Sequence, residues 1–438
     1  MTYTSVAPSA ARLTESLRDI GYDFPTAVAD IVDNSVAAGA TRVEIDIRFD
    51  GAGSWVSIAD DGRGMTANGL MEALRYGSRR EYGRNDLGRY GLGLKTASLS
   101  QCRSVTVVSR PQTATRTVTR VIDLDVVVEE DDWLIISPDI DDHVRRAREQ
   151  VADSGGTVVL WRKLDRVLPE KRPEGGWARR RLEGLAERTV QHLGIVFHRF
   201  LEGATGEPLA ITVNGVKVEP WNPFAPDEPA CNVLPVQRFE ITVGEASGWV
   251  TLRPYVLPSR DRFSSPAEFD RMSGPLNWNR QQGLYIYRAE RLVQWGGWGG
   301  IRGIDEHTKL ARASLEFDTD LDVVFNINVA KMRVTMPPQL RQMLERPINE
   351  LCIRADDAYR RTSRTPANNA GNYEASLSEH FPSMPDRARS AVGVGVGAAG
   401  LALRSAAMQA GEYAAWKRIV EVIRIQAPDV AASLGLND

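Results

Sequence analysis

The alternation of apolar and polar residues changes period several times along the first third of the chain. Apolar residues recur at helical spacing over 10–20, 24–38 and 67–76, so each stretch is predicted to form a helix. Residues 43–49 alternate apolar and polar side chains, and 55–59 form a short apolar run. These two stretches are predicted to pair as a hairpin of half-buried strands. Helices mixed with paired strands indicate an α+β domain.

Strand-like and helical runs continue to the end of the chain, and a linker rich in proline, asparagine and serine interrupts them near 365–385. The remaining predicted elements are strands at 104–110, 116–128, 133–136 and 156–161, a helix at 179–201, strands at 209–213, 216–218, 239–243 and 249–256, and helices at 339–363 and 412–426. We therefore predict an α+β chain with an N-terminal domain of helices and strands, a second, smaller α/β domain and a helical C-terminal region. The predicted boundaries are 1–170, 171–345 and 346–438.

Composition narrows the class of protein. The chain has 438 residues with 42% hydrophobic residues, enough for two or three buried cores. A net charge of −3 argues against a protein that coats nucleic acid by itself, so any DNA contact is expected to be local or indirect. Three distant cysteines suggest neither a disulfide framework nor a zinc site. The apolar run 391–403 is too short to span a membrane, and a cytoplasmic protein without membrane contact is expected.

Candidate chemistry begins with the glycine-rich stretch GRYGLGLKTAS at 88–98. Glycines before a predicted helix allow backbone N–H groups to face an anion, and Lys95 adds a positive charge suited to phosphate. By itself this pattern is more often a plain turn.

Two upstream motifs supply carboxylates and an amide. Asp30 and Asn34 stand at i and i+4, about 6 Å apart on one helix face. Asp60 and Asp61 follow the apolar strand and precede Gly62 in a tight turn. In isolation, the first motif is typical of a solvated acidic helix face and the second of a surface turn.

In this order and spacing the three stretches resemble the ATP-binding motifs of the gyrase, heat-shock chaperone, histidine kinase and MutL (GHKL) superfamily. The run AVADIVDNSVAAGATRVEIDI is most similar to MutL and MORC ATPases, and YGSRRE followed by LGRYGLGLKTAS is closest to MORC. The resemblance covers most of residues 20–165. Two later runs, GLYIYR at 283–288 and FNINVAKMRV at 325–334, resemble the transducer domain of such proteins.

The resemblance implies a Bergerat-type α/β sandwich ATPase domain that binds ATP and Mg²⁺, followed by the smaller α/β transducer domain. Asp30 stands at the position of the general base, Asn34 at that of the Mg²⁺ ligand, and Asp60 at that of the carboxylate that accepts a hydrogen bond from the adenine amine. A lid at 77–95 would close over the triphosphate, and Lys331 would contact the γ-phosphate from the second domain. The remaining implied nucleotide-binding residues are Gly62, Gly64, Met65, Gly88, Gly91, Leu92, Gly93, Leu94, Lys95, Thr96 and Thr157.

One residue departs from the family pattern. The family usually has Glu where this chain has Asp30, and the carboxylate then falls ~1.5 Å short, which can cost about 100-fold in an attack that depends on position. ATP hydrolysis is therefore expected to be slow. Asp33 is a secondary candidate to assist.

The resemblance also implies an ATP-dependent homodimer that coordinates DNA-processing partners, such as a nuclease or helicase, in a bacterial restriction or phage-defence system. One alternative is a mismatch-repair matchmaker of the MutL type, although the C-terminal region has no nuclease motif. Another is a nucleotide-gated scaffold with little hydrolysis. A sensor histidine kinase is disfavoured because none of the five histidines precedes residue 143.

Overall fold

The structure is a computed structural model that describes residues 3–4, 8–19, 21–77, 93–169, 173–244, 246–326, 334–363, 416, 419–421 and 423–424. Within these residues, no helix is both long and apolar enough to cross a membrane. The chain divides into two compact units, 1–365 and 366–438.

The first part of the larger unit is built around one mixed sheet with helices packed against it. Its elements are α1 (Ala10–Arg18), α2 (Phe24–Ala37), β1 (Arg42–Arg48), β2 (Trp55–Asp60), α3 (Ala67–Leu74), α4 (Gly93–Leu99), β3 (Ser104–Arg110), β4 (Val118–Asp123), α5 (Leu124–Glu130), α6 (Asp142–Gln150), β5 (Gly156–Arg162), α7 (Gly176–Val196), α8 (His198–Leu201), β6 (Ala210–Val213) and β7 (Val216–Lys217).

The described strands of this sheet lie in the order β4-β3-β5-β2-β1-β6-β7. The predicted hairpin is present, since β1 and β2 pair antiparallel with Val43 opposite Asp60. In β1, apolar residues are buried and most polar residues are exposed or half-buried, as the alternating sequence predicts. Strand β5 lies against β2 with Thr157 opposite Asp60, so the ends of two central strands meet at the same place.

Helix α2 lies in the interior of this part, in contact with α4 and α7. It begins where the Asp23 side chain accepts a hydrogen bond from the backbone N–H of Thr26 (2.9 Å), with Pro25 in its first turn. It ends before Gly39, whose φ of +73° suits a helix terminus. Both of its acidic residues, Asp30 and Asp33, are buried, so the alternative of a solvated acidic face is wrong.

The second part of the larger unit is built around a second sheet. Its elements are β8 (Asn232–Val233), β9 (Gln237–Val243), β10 (Ala246–Val256), α9 (Pro266–Met272), α10 (Trp278–Gln281), β11 (Gly283–Arg288), β12 (Arg291–Trp295), β13 (Ala311–Phe317), α11 (Pro338–Ser363) and three 3₁₀ helices, Arg260–Arg262, Glu306–Thr308 and Thr319–Leu321. The strand order is β12-β11-β13-β10-β8, with β9 also paired to β10. Helix α11 covers this sheet with a row of buried residues that includes Leu340, Leu344 and Ile348.

The structure changes the predicted boundaries between the two sheets. Strands β6 and β7, predicted for the second domain, belong to the first sheet, because β6 pairs in parallel with β1 and buries Ile211 and Val213. Helix α11, predicted for the C-terminal region, packs into the core of the second sheet. Neither placement follows from local periodicity, which says which residues are apolar but not which sheet they cover.

One predicted strand is partly a helix. The stretch 116–128 forms β4 only as far as Asp123, and 124–130 forms α5. The Asp123 carboxylate accepts a hydrogen bond from the backbone N–H of Asp125 (3.0 Å), which starts the helix despite the following valines. The predicted strand at 133–136 is reduced to a single bridge between Val121 and Ile136.

Few residues of the smaller unit are described. Those at 416, 419–421 and 423–424 are helical, which agrees with the predicted helix 412–426 at these positions. Val420 is buried against Trp416 and Ile423, whereas Ile419, predicted for the same apolar side, is 59% exposed.

Candidate nucleotide site

Two polar groups of α2 face the same region from successive turns. Asp30 is buried, and its Oδ2 atom accepts a hydrogen bond from the Tyr22 hydroxyl (2.8 Å). Asn34 is exposed, and its Nδ2 atom donates to the backbone oxygen of Asp30 (3.0 Å). An amide nitrogen is only a donor, so the amide oxygen is the atom that Asn34 can offer to a cation.

Asp60 lies at the end of β2, beside the same helix. Its Oδ2 atom accepts from the Ser35 hydroxyl of α2 (2.9 Å), and its Oδ1 atom accepts from the Gly62 backbone N–H (3.0 Å). Burial raises the pKa of Asp60 to about 6, while the hydrogen bonds from Ser35 and Gly62 act in the opposite direction. The Ser35 bond fixes the predicted adenine carboxylate next to the helix that carries Asp30 and Asn34.

The neighbouring carboxylate, Asp61, has a different role. It accepts hydrogen bonds from the Thr41 backbone and hydroxyl (both 2.8 Å) and from the Arg42 backbone (2.9 Å). Burial disfavours its charged form, but these hydrogen bonds outweigh burial and hold the pKa of Asp61 below its usual value. Asp61 therefore closes the turn onto the start of β1.

Close packing explains the glycines of the same turn. A Cβ atom on Gly62 would lie 2.8 Å from the Cβ of Ala38. Gly64 has a φ of +65°, and a Cβ there would lie 2.0 Å from the Arg110 backbone oxygen. Both positions require glycine because the turn runs directly against neighbouring backbone and side chains.

A buried serine that the sequence prediction missed joins the next two predicted residues. The Ser109 hydroxyl, in β3, lies 2.9 Å from the Thr157 hydroxyl oxygen and accepts from the Met65 backbone N–H (2.8 Å). Thr157 is itself buried and faces Asp60 across the strand pair. Ser109 thus holds the Met65 turn and the Thr157 strand beside the Asp60 carboxylate. The available signal was a hydroxyl that directly follows the apolar pair Val107 and Val108 in a strand that is buried along its whole length, because a buried hydroxyl must find a partner.

The start of α4 approaches Asp30. A Cβ on Gly93 would lie 3.1 Å from the Asp30 Oδ2 atom. Thr96 is buried in the same helix, and Leu94 is half-buried against the first core. The contact of these three residues with a nucleotide stays a prediction.

Lys95 is placed differently from the prediction. Its ammonium group donates to the backbone oxygens of Ala73 (2.8 Å) and Arg75 (2.7 Å) at the C-terminal end of α3, and the side chain is buried. Burial lowers the pKa of Lys95 to about 8, opposed by the charge of Glu72. Lys95 is therefore a buried group that caps α3, because helix-terminal carbonyls need donors, and its contact with phosphate stays a prediction.

Asp33 is also corrected, from a helper of the base to one half of an ion pair between the two parts of the unit. Its Oδ1 atom accepts from the Arg291 Nε atom of β12 (2.8 Å). The two side chains are 1% and 3% exposed. The predicted residues Gly88, Gly91, Leu92 and Lys331, and most of the lid 77–95, lie outside the described residues.

The donor set suits Mg²⁺ only in combination with a nucleotide. Among the described residues there is no group of three or more His, Cys, Asp or Glu side chains arranged to hold a metal ion. The exposed Asn34 amide oxygen can supply one ligand, and phosphate oxygens and water would supply the others of an octahedral Mg²⁺ ion.

Helix α2, the turn that follows β2 and the start of α4 therefore lie close together around Asp30 and Asp60. Residues 22–156 match the family model of the histidine kinase-, DNA gyrase B- and HSP90-like ATPases. No curated protein is significantly similar to the chain. The match supports the predicted superfamily and an N-terminal ATPase domain of the GHKL type. It ends just before Thr157.

Proposed function

We propose that the chain is a Mg²⁺-dependent ATPase of the MutL and MORC kind, which works as a nucleotide-controlled dimerisation switch. The observation that carries the nucleotide part of this proposal is the Ser35–Asp60 hydrogen bond, which fixes the adenine-reading candidate beside the helix that bears Asp30 and Asn34. The matched family model supports ATP as the ligand.

The proposed roles follow from the chemistry of the side chains. The Asp60 carboxylate accepts a hydrogen bond from the adenine amine. A guanine base has a carbonyl at that position, which cannot donate, so guanine is rejected. Asn34 holds Mg²⁺, which would neutralise phosphate charge when bound. Asp30 takes a proton from a water molecule as the water oxygen bonds to the terminal phosphorus and the bond to the ADP oxygen breaks.

Hydrolysis is proposed to be slow because Asp30 is one methylene shorter than the glutamate usual at this position. A nucleotide-gated scaffold without turnover is the second candidate, and the same Asp30 favours it. Phosphate release measured beside the binding of a non-hydrolysable ATP analogue separates the two, with Asp30→Glu as a comparator. A scaffold binds the analogue but releases no phosphate.

The nucleotide assignment is tested with two adjacent aspartates as a matched pair. Asp60→Asn is expected to weaken ATP binding about 100-fold, because an amide in place of the carboxylate loses a charge-assisted acceptor. Asp61→Asn is expected to keep the affinity, since Asp61 bonds the backbone of Thr41 and Arg42. Asn34→Ala should abolish the Mg²⁺ dependence of binding. Equal ATP affinity in Asp60→Asn and the unmodified chain contradicts the proposed site.

The proposed homodimer and DNA-processing partners, in a restriction or phage-defence role or in a mismatch-repair role, rest on the resemblance of the sequence motifs. Light scattering with and without a non-hydrolysable ATP analogue tests ATP-dependent dimerisation. DNA association is tested by the salt dependence of binding with and without ATP.

A further inference from the structure

The buried turn before α2 contains a tyrosine whose hydroxyl points into the candidate site. Tyr22 is 8% exposed, and its hydroxyl donates to the Asp30 Oδ2 atom at 2.8 Å. A phenylalanine would fill the same space without a polar atom. The hydroxyl therefore contributes a specific interaction with Asp30 beyond packing, because a buried hydroxyl without a partner is costly.

The tyrosine is itself fixed by the segment around α4. The Gln101 Nε2 atom donates to the Tyr22 backbone oxygen (3.1 Å) and to the Ser100 hydroxyl (2.8 Å). Thr96 forms a side-chain hydrogen bond with the tyrosine hydroxyl. Burial and the Asp30 charge raise the pKa of Tyr22 well above its usual value, so the hydroxyl keeps its proton and remains a donor.

The orientation of the Asp30 carboxylate decides whether it can hold a water molecule for attack. Rotation about its side-chain torsions moves the oxygens away from the place where that water molecule must be held. A short hydrogen bond to Oδ2 fixes that rotation. The start of α4 limits it further, since a Cβ on Gly93 would lie only 3.1 Å from the same oxygen.

We propose that Tyr22 is a positioning residue for ATP hydrolysis, which holds the Asp30 carboxylate in the orientation that directs the attacking water. This inference rests on the proposed function, because it assigns Tyr22 a role through Asp30. Tyr22 contributes to the hydrolytic step and not to ATP affinity.

Tyr22→Phe tests this role with Tyr287→Phe as the matched control. The Tyr287 hydroxyl is also buried, lies 3.2 Å from the His198 Nε2 atom and belongs to the second sheet. Single-turnover hydrolysis is expected to fall about tenfold in Tyr22→Phe, equal to about 1.4 kcal/mol, the scale of one hydrogen bond to a charged group. The ATP dissociation constant should stay within about twofold of the unmodified value, and Tyr287→Phe should change neither quantity. Circular dichroism and thermal melting of both variants check that they fold.

A second variant separates failure of this inference from failure of the proposed function. If the unmodified chain does not hydrolyse ATP, or if Asp30→Asn hydrolyses ATP at the unmodified rate, the proposed hydrolytic role of Asp30 fails. The inference about Tyr22 then fails with it. If Asp30→Asn loses turnover while Tyr22→Phe keeps the unmodified rate, only the role of Tyr22 is overturned. A parallel loss of rate and ATP affinity in Tyr22→Phe also overturns it, since that result indicates a structural role. The Tyr22→Phe/Asp30→Asn double variant should match Asp30→Asn alone, and a further loss contradicts action through Asp30.

Discussion

Asp33 lies on helix α2 at the seam between the two sheets, and Asp60 lies beside the same helix at the corner predicted to bind adenine. Asp33 faces the guanidinium of Arg291, and this ion pair is almost fully buried. Asp60 accepts hydrogen bonds from Ser35 and Gly62, which are neutral donors, and burial raises its pKa to about 6.

The two carboxylates differ in how their charge is balanced, and this difference predicts a structural role for Asp33 and a ligand-binding role for Asp60. A carboxylate paired with a buried arginine already has its charge balanced, and losing either partner is expensive. A buried carboxylate held only by neutral donors keeps a negative charge that no cation of the protein balances, and its pKa is therefore perturbed. A ligand that donates hydrogen bonds can stabilise that charge, so perturbed pKa values often mark binding sites. The seam is therefore expected to govern stability, and the corner to govern ATP affinity.

The largest expected effect is at the seam. Asp33→Ala should lower the free energy of unfolding by about 3–5 kcal/mol, because Arg291 then stays buried without its carboxylate. Urea unfolding measures this. Glu350→Ala, which removes an exposed ion pair with Arg346, should cost less than about 1 kcal/mol. If both variants lost the same small free energy of unfolding, the Asp33–Arg291 pair would be no stronger than a surface pair. The contrast between Asp33 and Asp60 would then be wrong.

The next effect is the pH dependence of the corner. ATP affinity is expected to fall as pH drops below about 6, because protonated Asp60 no longer accepts the adenine amine as a carboxylate. The loss should approach about tenfold between pH 7.5 and 5. Asp60→Asn supplies the reference for titration of the nucleotide itself and should lack this component. An identical pH profile in the two proteins contradicts the role of Asp60.

Protonation of Asp60 acts on stability with the opposite sign. The folded state holds this proton below about pH 6, whereas an ordinary aspartate holds it only below about 3.8. Between these values the folded state binds more protons than the unfolded state, so the contribution of Asp60 to the free energy of unfolding rises as pH falls. Affinity and this stability contribution should therefore change in opposite directions over the same window.

The smallest expected effect concerns Lys95, a buried cation whose hydrogen bonds to Ala73 and Arg75 go to neutral carbonyls. Lys95→Met should lower the free energy of unfolding by about 1 kcal/mol and leave ATP affinity within about twofold. Isothermal titration calorimetry and urea unfolding check the two parts, with the exposed Lys217→Met as the control. A tenfold loss of ATP affinity in Lys95→Met would instead support the predicted phosphate contact. Lys95 would then be a ligand-binding residue, as is proposed for Asp60.

Much of the first domain follows from local sequence. Asp30 and Asn34 are four residues apart and therefore lie on the same face of α2, in successive turns. The apolar run before Asp60 predicts β2 and the turn that follows it. These features depend on residues that are close in the chain, where side-chain period and capping decide the outcome. The resemblance of the motifs added the expected roles, and the family model supports the superfamily.

The tertiary structure decided the partners of the buried polar groups. Asp33 meets Arg291 across 258 positions of sequence, and Lys95 reaches back to the end of α3. The Ser109–Thr157 contact joins residues 48 positions apart. Local periodicity states that a side chain is on a buried face, but it does not state which distant strand or helix covers that face. The sequence by itself therefore determined the helix and the turn that carry the candidate site, whereas only packing decided which of their charges are balanced within the protein.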